Sequence, residues 1–394
     1  MPTKVILKPK RETPFKHYHP WLFSGAIAKV LGNAEDGEMV SVHSADNTFI
    51  AWGIYNSQSN IRVRLYSWQE SEILTLDFWK QKLQSAIAYR RSLGFGMFTD
   101  KHSNAYRLVN SEADGLSGLT IDRYGDALCV QFTSLAMYHR RHLWYELLLD
   151  LLVPQSITLR TEHDMQKEEG ILATDEVVFG SAPERQVICE NGISYYVQLN
   201  SGQKTGFYLD QRANRAYVQG LSKDRRVLDL CCYSGGFALN AKKGGAAMVQ
   251  AIDVSANAIT LAKENALLNN EPDIIFQQAD AFRYVDTCEQ KYDLIVLDPP
   301  KMTHSRASVA NALKGYLHLN SKSFSLLDSG GILVSCSCSG RVSAEDFNSV
   351  IKEAAFKAGK KAKIMCITGA DTDHPVSVYV PESAYLKCII SYVE

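Results

Sequence analysis

The chain has 394 residues, too many for one hydrophobic core, so two or three domains are expected. Its composition, 46% hydrophobic and 22% charged, is that of an ordinary globular protein, and a formal net charge of −1 excludes a general polyanion binder. No apolar run approaches the roughly 18 residues of a membrane span. Met1-Pro2-Thr3-Lys4 also lacks a signal-peptide stretch, so no membrane partner and a cytoplasmic location are expected.

Charge is unevenly placed. The first 16 residues carry Lys4, Lys8, Lys10, Arg11 and Lys16 against Glu12, a candidate phosphate footprint. A second basic knot, His139-Arg140-Arg141-His142, is better read as a solvated face. Up to about residue 68, short apolar segments such as Val5-Ile6-Leu7, Phe49-Ile50-Ala51-Trp52 and Ile61-Arg62-Val63-Arg64-Leu65 alternate with turns, which predicts a small β-barrel. Leu76, Trp79, Leu83, Ile87 and Leu93 share one helical face, ended by Gly94. Further strand-like runs around Leu108, Ile121 and Ile157, with a helix over Tyr138–Leu152, predict a compact α+β domain. Asn191-Gly192 between two β-rich runs predicts a hairpin.

From Arg226 onward the rhythm changes to strand, turn, helix, repeated, the pattern of a doubly wound α/β fold. The strand Val227–Leu230 opens into Cys231-Cys232-Tyr233-Ser234-Gly235-Gly236, a turn that lets backbone approach a ligand. It is neither the dinucleotide glycine fingerprint nor a phosphate loop. Asp229, Asp253, Asp280 and Asp298 fall at or just past successive strand ends. Singly each is more often a turn residue or helix cap. Four in register point to a nucleoside cofactor, with Asp253 on the ribose and Asp280 with Phe282 at the adenine. S-adenosylmethionine fits better than NAD.

The next two strands end in Asp298-Pro299-Pro300-Lys301 and in Cys336-Ser337-Cys338-Ser339-Gly340. Neighbouring strand ends share a crevice, so a carboxylate would sit beside a thiol there. That pairing suits attack on C6 of a pyrimidine, and methylation of cytosine is the leading expectation. Strand periodicity does not choose between Cys336 and Cys338, but Cys338 lies in the turn, where a thiol is more accessible. Most free cysteines are inert packing residues, as Cys231 and Cys232 are read here. The nine cysteines suit neither disulfides nor zinc, and no metal is expected.

These residues resemble, over essentially the full chain, the bacterial class I S-adenosylmethionine-dependent methyltransferases that make 5-methylcytosine in large-subunit ribosomal RNA. Matching segments are His19–Gly25, Glu112–Leu116, Gln203–Arg212, Leu228–Phe237, Asp298–Lys301, Ser337–Gly340 and Asp373-His374-Pro375. The resemblance implies a PUA-like RNA-binding domain over 1–70 and a central α+β domain over 71–186. Over 187–394 it implies a hairpin-led Rossmann-like methyltransferase domain, with an antiparallel strand near Tyr385–Ile390. It assigns cofactor contacts to Thr205, Gly206, Phe207, Asp210 and Arg212, besides Asp229, Tyr233, Ser234, Gly235, Gly236, Asp253, Asp280, Phe282 and Asp298. Lys8, Lys10, Arg11 and Lys16 would grip ribosomal RNA, naked or in a pre-ribosomal particle, while Trp21 and Phe23 anchor the barrel. A homodimer is compatible with the chain.

In the implied mechanism Cys338 is the nucleophile and Asp298 stabilises charge at N3, while the Pro299 and Pro300 carbonyls accept from the exocyclic amine. The Asp-Pro loop lacks the second cysteine of other RNA cytosine-5 methyltransferases, which leaves Lys301 or His304 to remove the C5 proton. Two alternatives stay open: methylation of a guanine nitrogen or exocyclic amine, which needs no thiol, and a non-catalytic RNA-binding assembly factor.

Overall fold

Strands buried on both faces read as unbroken aliphatic runs, and those after Arg226 build the sheet that carries the candidate site. A computed structural model of the chain describes residues 3–96, 103–161, 165–182, 184–199, 206–303 and 306–394. Its contacts group the chain into two compact units: residues 1–188, 197–207 and 372–383, and residues 189–196, 208–371 and 384–394. Among the described residues no helix is long and apolar enough to cross a membrane.

The first unit holds two sheets. Strands β1 (Lys4–Leu7), β2 (Trp21–Phe23), β3 (Ile27–Leu31), β4 (Met39–His43), β5 (Phe49–Tyr55) and β6 (Ile61–Ser67) pair in the order β2-β6-β5-β4-β1-β3. The short helix α1 (Thr13–Lys16) drops Phe15 into the core with Leu7, Leu22, Val42 and Val63. The second sheet comprises β7 (Ala105–Asn110), β8 (Leu119–Tyr124), β9 (Ala127–Phe132), β10 (Ser156–Arg160) and β11 (Glu176–Gly180), in the order β11-β10-β9-β8-β7. Helix α2 (Leu76–Ser92) matches its predicted span and packs Trp79 edge-on against Trp144, with ring centroids 5.6 Å apart. The helix predicted over Tyr138–Leu152 begins three residues later, as α4 (Arg141–Leu152), and a short helix α3 (Leu135–Tyr138) precedes it. Ser134 caps α3 by accepting from the Met137 amide, a local start signal that the apolar periodicity does not carry. Helix α5 (Met165–Glu169) supplies Glu169, which pairs with Arg64 of β6 at 2.8 Å.

The hairpin β12 (Gln186–Glu190) and β13 (Ile193–Val197) turns through Asn191 and Gly192, at φ 51° and 72°. That double left-handed conformation is what an Asn-Gly pair adopts at low cost.

The second unit is a doubly wound α/β layer. After α6 (Arg212–Leu221) come β14 (Arg226–Leu230), α7 (Gly236–Lys243), β15 (Met248–Asp253), α8 (Ala256–Leu268), β16 (Ile275–Gln278), α9 (Ala281–Thr287), β17 (Tyr292–Leu297), α10 (Val309–Ser325), β18 (Leu327–Ser337), α11 (Ala344–Lys357), β19 (Ala362–Thr368) and β20 (Lys387–Val393). The strand order is β16-β15-β14-β17-β18-β20-β19. The first five strands run parallel and β20 runs antiparallel to both its neighbours. The predicted antiparallel strand therefore exists but starts at Lys387 rather than Tyr385. Strand order reverses between β14 and β17, and the crevice beyond their carboxyl ends is where such sheets bind ligands.

Candidate active site

The turn after β14 is unusually strained. Cys231, Tyr233 and Gly235 all have positive φ (65°, 47° and 81°), a conformation that costs a non-glycine residue about 1–2 kcal/mol. Three hydrogen bonds from backbone amides hold it: the Cys232 amide donates to the Ile252 carbonyl at 2.9 Å, Gly235 to the Cys232 carbonyl at 2.8 Å, and Tyr233 to Asp253 Oδ2 at 2.9 Å. Strain held this firmly clusters where a ligand needs a pre-formed backbone. A Cβ on Gly235 would lie 3.3 Å from both Ala262 Cβ and the Phe276 ring, so a side chain there would crowd both as well as take an unfavourable φ.

Asp229 is fully buried on β14. Its Oδ2 accepts from the Ala238 amide in the first turn of α7 at 3.0 Å, while Oδ1 has no partner among the described residues. Burial, reinforced by the negative charges of Asp298 and Asp253, pushes this carboxyl up to about 8. The Ser234 hydroxyl in the same turn is likewise buried without a partner among the described residues. Buried polar atoms are nearly always satisfied, so two orphans beside one strained turn fit a site for a polar cofactor. At the end of β15, Asp253 accepts from the Tyr233 and Ser255 amides, each at 2.9 Å. Both oxygens keep lone pairs for hydroxyl groups of a ligand.

The other residues expected at the cofactor are more dispersed. Asp280 is exposed, and its Oδ1 accepts from the Arg283 amide at 3.0 Å, making it the N-cap of α9. Phe282 stacks on His318, with centroids 5.9 Å apart and planes 21° from parallel. Asp210 is buried and accepts from the Tyr385 hydroxyl at 2.7 Å, and Arg212 pairs with Asp371 at 2.7 Å, so both are also held to the chain's C-terminal loop. In the first unit, Gly206 has φ 133° and the buried Phe207 donates its amide to the Tyr124 hydroxyl at 3.3 Å. Thr205 and Lys204 lie outside the described residues, as does His304.

Cys338 is the first residue beyond β18, and its sulfur lies 4.0 Å from the Pro299 carbonyl oxygen. Pairing of β17 with β18, Leu297 opposite Ser335, brings the two strand ends together. Asp298 is half-buried, Pro299 buried, and Pro300 and Lys301 exposed. The serines on either side of Cys338 explain its half-buried pose. Ser337 donates to the Tyr316 hydroxyl at 3.0 Å, and the Ser339 hydroxyl lies 3.2 Å from the same oxygen and accepts from the Met302 amide at 3.3 Å. Both serines are fully buried, so the turn is pinned on each side of the thiol. Cys336 is different. It is wholly buried opposite Cys388, and the bond to that thiol together with burial pushes its own pKa far up, leaving it protonated.

Several participants carry no sequence signal. Tyr208 packs edge-on to Tyr233 at 5.4 Å, and burial, then the charges of Tyr233, Asp298 and Cys338, suppress its ionisation. Arg215 of α6 donates to Glu190 at 2.6 and 2.7 Å and to the Tyr208 carbonyl at 2.9 Å, fixing the segment before α6. Such contacts depend on tertiary placement, and only an alignment of related chains could have flagged them. In the first unit Lys8, Lys10, Arg11 and Lys16 are all exposed, whereas Trp21 donates to Glu112 at 2.9 Å. Arg140 is engaged internally, donating to the Gly37 and Ala136 carbonyls at 3.3 and 2.9 Å.

Residues 5–68 match the family model of a PUA-like domain, and residues 163–364 that of an S-adenosylmethionine-dependent methyltransferase. The chain is 39% identical over 398 residues to "Ribosomal RNA large subunit methyltransferase I" of Tolumonas auensis, covering 99% of each protein. It is 36% identical over 397 residues to the protein of the same name from Aeromonas hydrophila, again covering 99% of each. Among solved structures, a protein from Streptococcus mutans described as a SAM-dependent methyltransferase matches over the full length of both chains, with a TM-score of 0.85 at 23% identity. That likeness bears on the fold.

Proposed function

The chain belongs to the ribosomal RNA large subunit methyltransferase I family, and we propose that it methylates C5 of a cytosine through a transient bond between Cys338 and C6 of the base. It is an S-adenosylmethionine-dependent methyltransferase whose partner is ribosomal RNA. When bound, the cofactor supplies an electrophilic methyl group on a sulfonium, and Asp229, Ser234, Gly235 and Asp253 are the residues proposed to hold it.

C5 of cytosine has no lone pair, so it must be made nucleophilic before it can take a methyl group. Addition of the Cys338 thiolate forms an S–C6 bond and moves the C5–C6 π pair to C5, conjugated through C4 to N3. Asp298 hydrogen-bonds or protonates N3, stabilising that charge, while the Pro299 and Pro300 carbonyls accept from the exocyclic amine. Once C5 is methylated, a base takes its proton, the C5–C6 double bond re-forms and the thiolate leaves. Lys301, exposed on the Asp-Pro-Pro loop, is the described candidate for that base. The amines of guanine need no such adduct.

The observation that carries this reading is the 4.0 Å approach of the Cys338 sulfur to the Pro299 carbonyl, between serines that hold the turn and next to the strand-order reversal. It is tested with Cys338→Ala and RNA from cells lacking the protein. The variant is expected to bind S-adenosylmethionine normally yet form no 5-methylcytidine. Methyl transfer at the wild-type rate, or a methylguanosine product, would overturn the reading.

A further inference from the structure

Lys387, at the start of β20 opposite Ser337, is 8% exposed. Its Nζ donates to the Ser339 carbonyl at 2.7 Å and the Val342 carbonyl at 2.8 Å. Among the described residues no carboxylate forms an ion pair with it. That is unusual, because a buried ammonium is normally matched by an anion. Two neutral carbonyls satisfy its hydrogens without neutralising its charge. The carbonyl at 2.7 Å belongs to the residue that follows Cys338.

We infer that Lys387 is a positioning residue: it clasps the turn that presents Cys338, and its ammonium is the counter-charge that makes the Cys338 thiolate accessible near neutral pH. The inference rests on the proposed role of Cys338 as nucleophile. Among the described residues, three ionisable groups near that thiol oppose a second negative charge. Asp298 precedes the Pro299 carbonyl that the sulfur approaches, and the hydroxyls of Tyr208 and Tyr316 both feel the Cys338 charge. Burial holds the ammonium below its ordinary pKa, and the Cys338 charge pulls it back up. An opposite charge within about 4–6 Å ordinarily moves a pKa by about one to three units. Strand pairing gives the lysine its place: Cys388 beside it faces Cys336, so β20 offers one cysteine to the interior and one lysine to the thiol's turn.

The test is the pH dependence of Cys338 alkylation by iodoacetamide in the full-length protein, read on the peptide containing Cys338 by mass spectrometry. Lys387→Met is expected to raise the midpoint by about one to two pH units, a roughly 10- to 100-fold loss of thiolate at neutral pH. Lys387→Arg, which keeps the charge, is expected to stay within about half a unit of wild type. An unchanged midpoint in a Lys387→Met protein that still binds S-adenosylmethionine would overturn the inference. If Lys387→Met does not fold, Lys387→Arg decides, because a rise of a full unit with the charge retained would equally refute it. Failure of the underlying reading looks different: Cys338→Ala would then still methylate, whatever the alkylation profiles show.

Discussion

Asp229 offers a prediction whose sign and size both follow from its surroundings. Its carboxyl moves from an ordinary 3.8 to about 8, chiefly because burial penalises the charge. At about 1.4 kcal/mol per unit, a shift of that size is worth up to roughly 5–6 kcal/mol between the two protonation states. The folded state holds this proton more tightly than the unfolded chain does. Its contribution to stability is therefore complete below about pH 4 and is lost progressively as pH rises towards 8. Asp229→Asn replaces the neutral acid with a neutral amide that can still accept from the Ala238 amide. Below about pH 4, where the wild-type contribution is complete, it is expected to cost up to about 1 kcal/mol, for the amide hydrogens left unsatisfied on the orphan side. At pH 8.5 the order reverses, and the variant is expected to be more stable than wild type by a few kcal/mol. The assay is urea denaturation at each pH, followed by pulsed deuterium labelling of the β14 and α7 peptides under one fixed labelling condition, so that only this unit is read. Parallel stability profiles for the two proteins between pH 5 and 8.5 would refute the argument. Saturating S-adenosylmethionine should flatten the wild-type profile if the cofactor satisfies the orphan oxygen.

Three further outcomes are expected. Glu190→Ala strands the fully buried Arg215 and should cost about 3–5 kcal/mol in urea denaturation, with the double variant Glu190→Ala/Arg215→Met recovering much of the loss. Gly235→Val should weaken S-adenosylmethionine binding at least about tenfold by calorimetry, since φ is 81° and a Cβ there meets Ala262 and Phe276 at 3.3 Å. Gly220→Ala, where a Cβ meets nothing within 4 Å, is the control and should add about 0.5–1 kcal/mol to stability. Charge reversal at Lys10, Arg11 and Lys16 together should weaken binding to large-subunit ribosomal RNA and flatten its salt dependence by about one unit for each phosphate no longer neutralised. An unchanged salt slope would remove these side chains from the interface.

The sequence made some of this arrangement readable because local rules and tertiary demands agree. Strands such as Leu294–Leu297 are covered on both faces, so they appear as aliphatic runs, and each feeds a polar turn that must sit at the sheet's edge. The four aspartates are visible for the same reason. Their individual roles are not, because a carboxylate after a strand caps a helix and binds a ligand with the same side chain. Asp280 spends an oxygen on the α9 amide and stands exposed, whereas Asp229 keeps a buried oxygen with no partner among the described residues. Strand β19 is only weakly marked in the sequence: Ala362–Thr368 is mostly exposed and shows just the short apolar run Ile364–Ile367, too brief for periodicity to tell a strand from a helical turn. The placement of β20 between β18 and β19 is a non-local pairing, and no local signal specifies it. The roles of Tyr208, Glu190 and Lys387 depend on those pairings and are equally hidden.

The two cysteines of the Cys-Ser-Cys run show where periodicity stops being informative. Alternation along a continuous strand would put both sulfurs on one face and make them equivalent. The ladder ends at Ser337, however, and from there the geometry is set by hydroxyls rather than by pleat. Cys336 stays inside the sheet, paired across to Cys388 and kept protonated by burial. One residue past the ladder, the hydroxyls of Ser337 and Ser339 converge on Tyr316 and turn the intervening side chain towards the Asp-Pro-Pro loop. A Ser-Cys-Ser segment does this where Ala-Cys-Ala could not: each serine trades a buried hydrogen bond for a fixed backbone, and the thiol between them is left to the crevice. Replacing both serines with alanine should therefore loosen the thiol's position while leaving its chemistry intact. The expected result is a lower methyl-transfer rate with an unchanged midpoint for Cys338 alkylation, and a shifted midpoint would mean that the serines act on the charge instead.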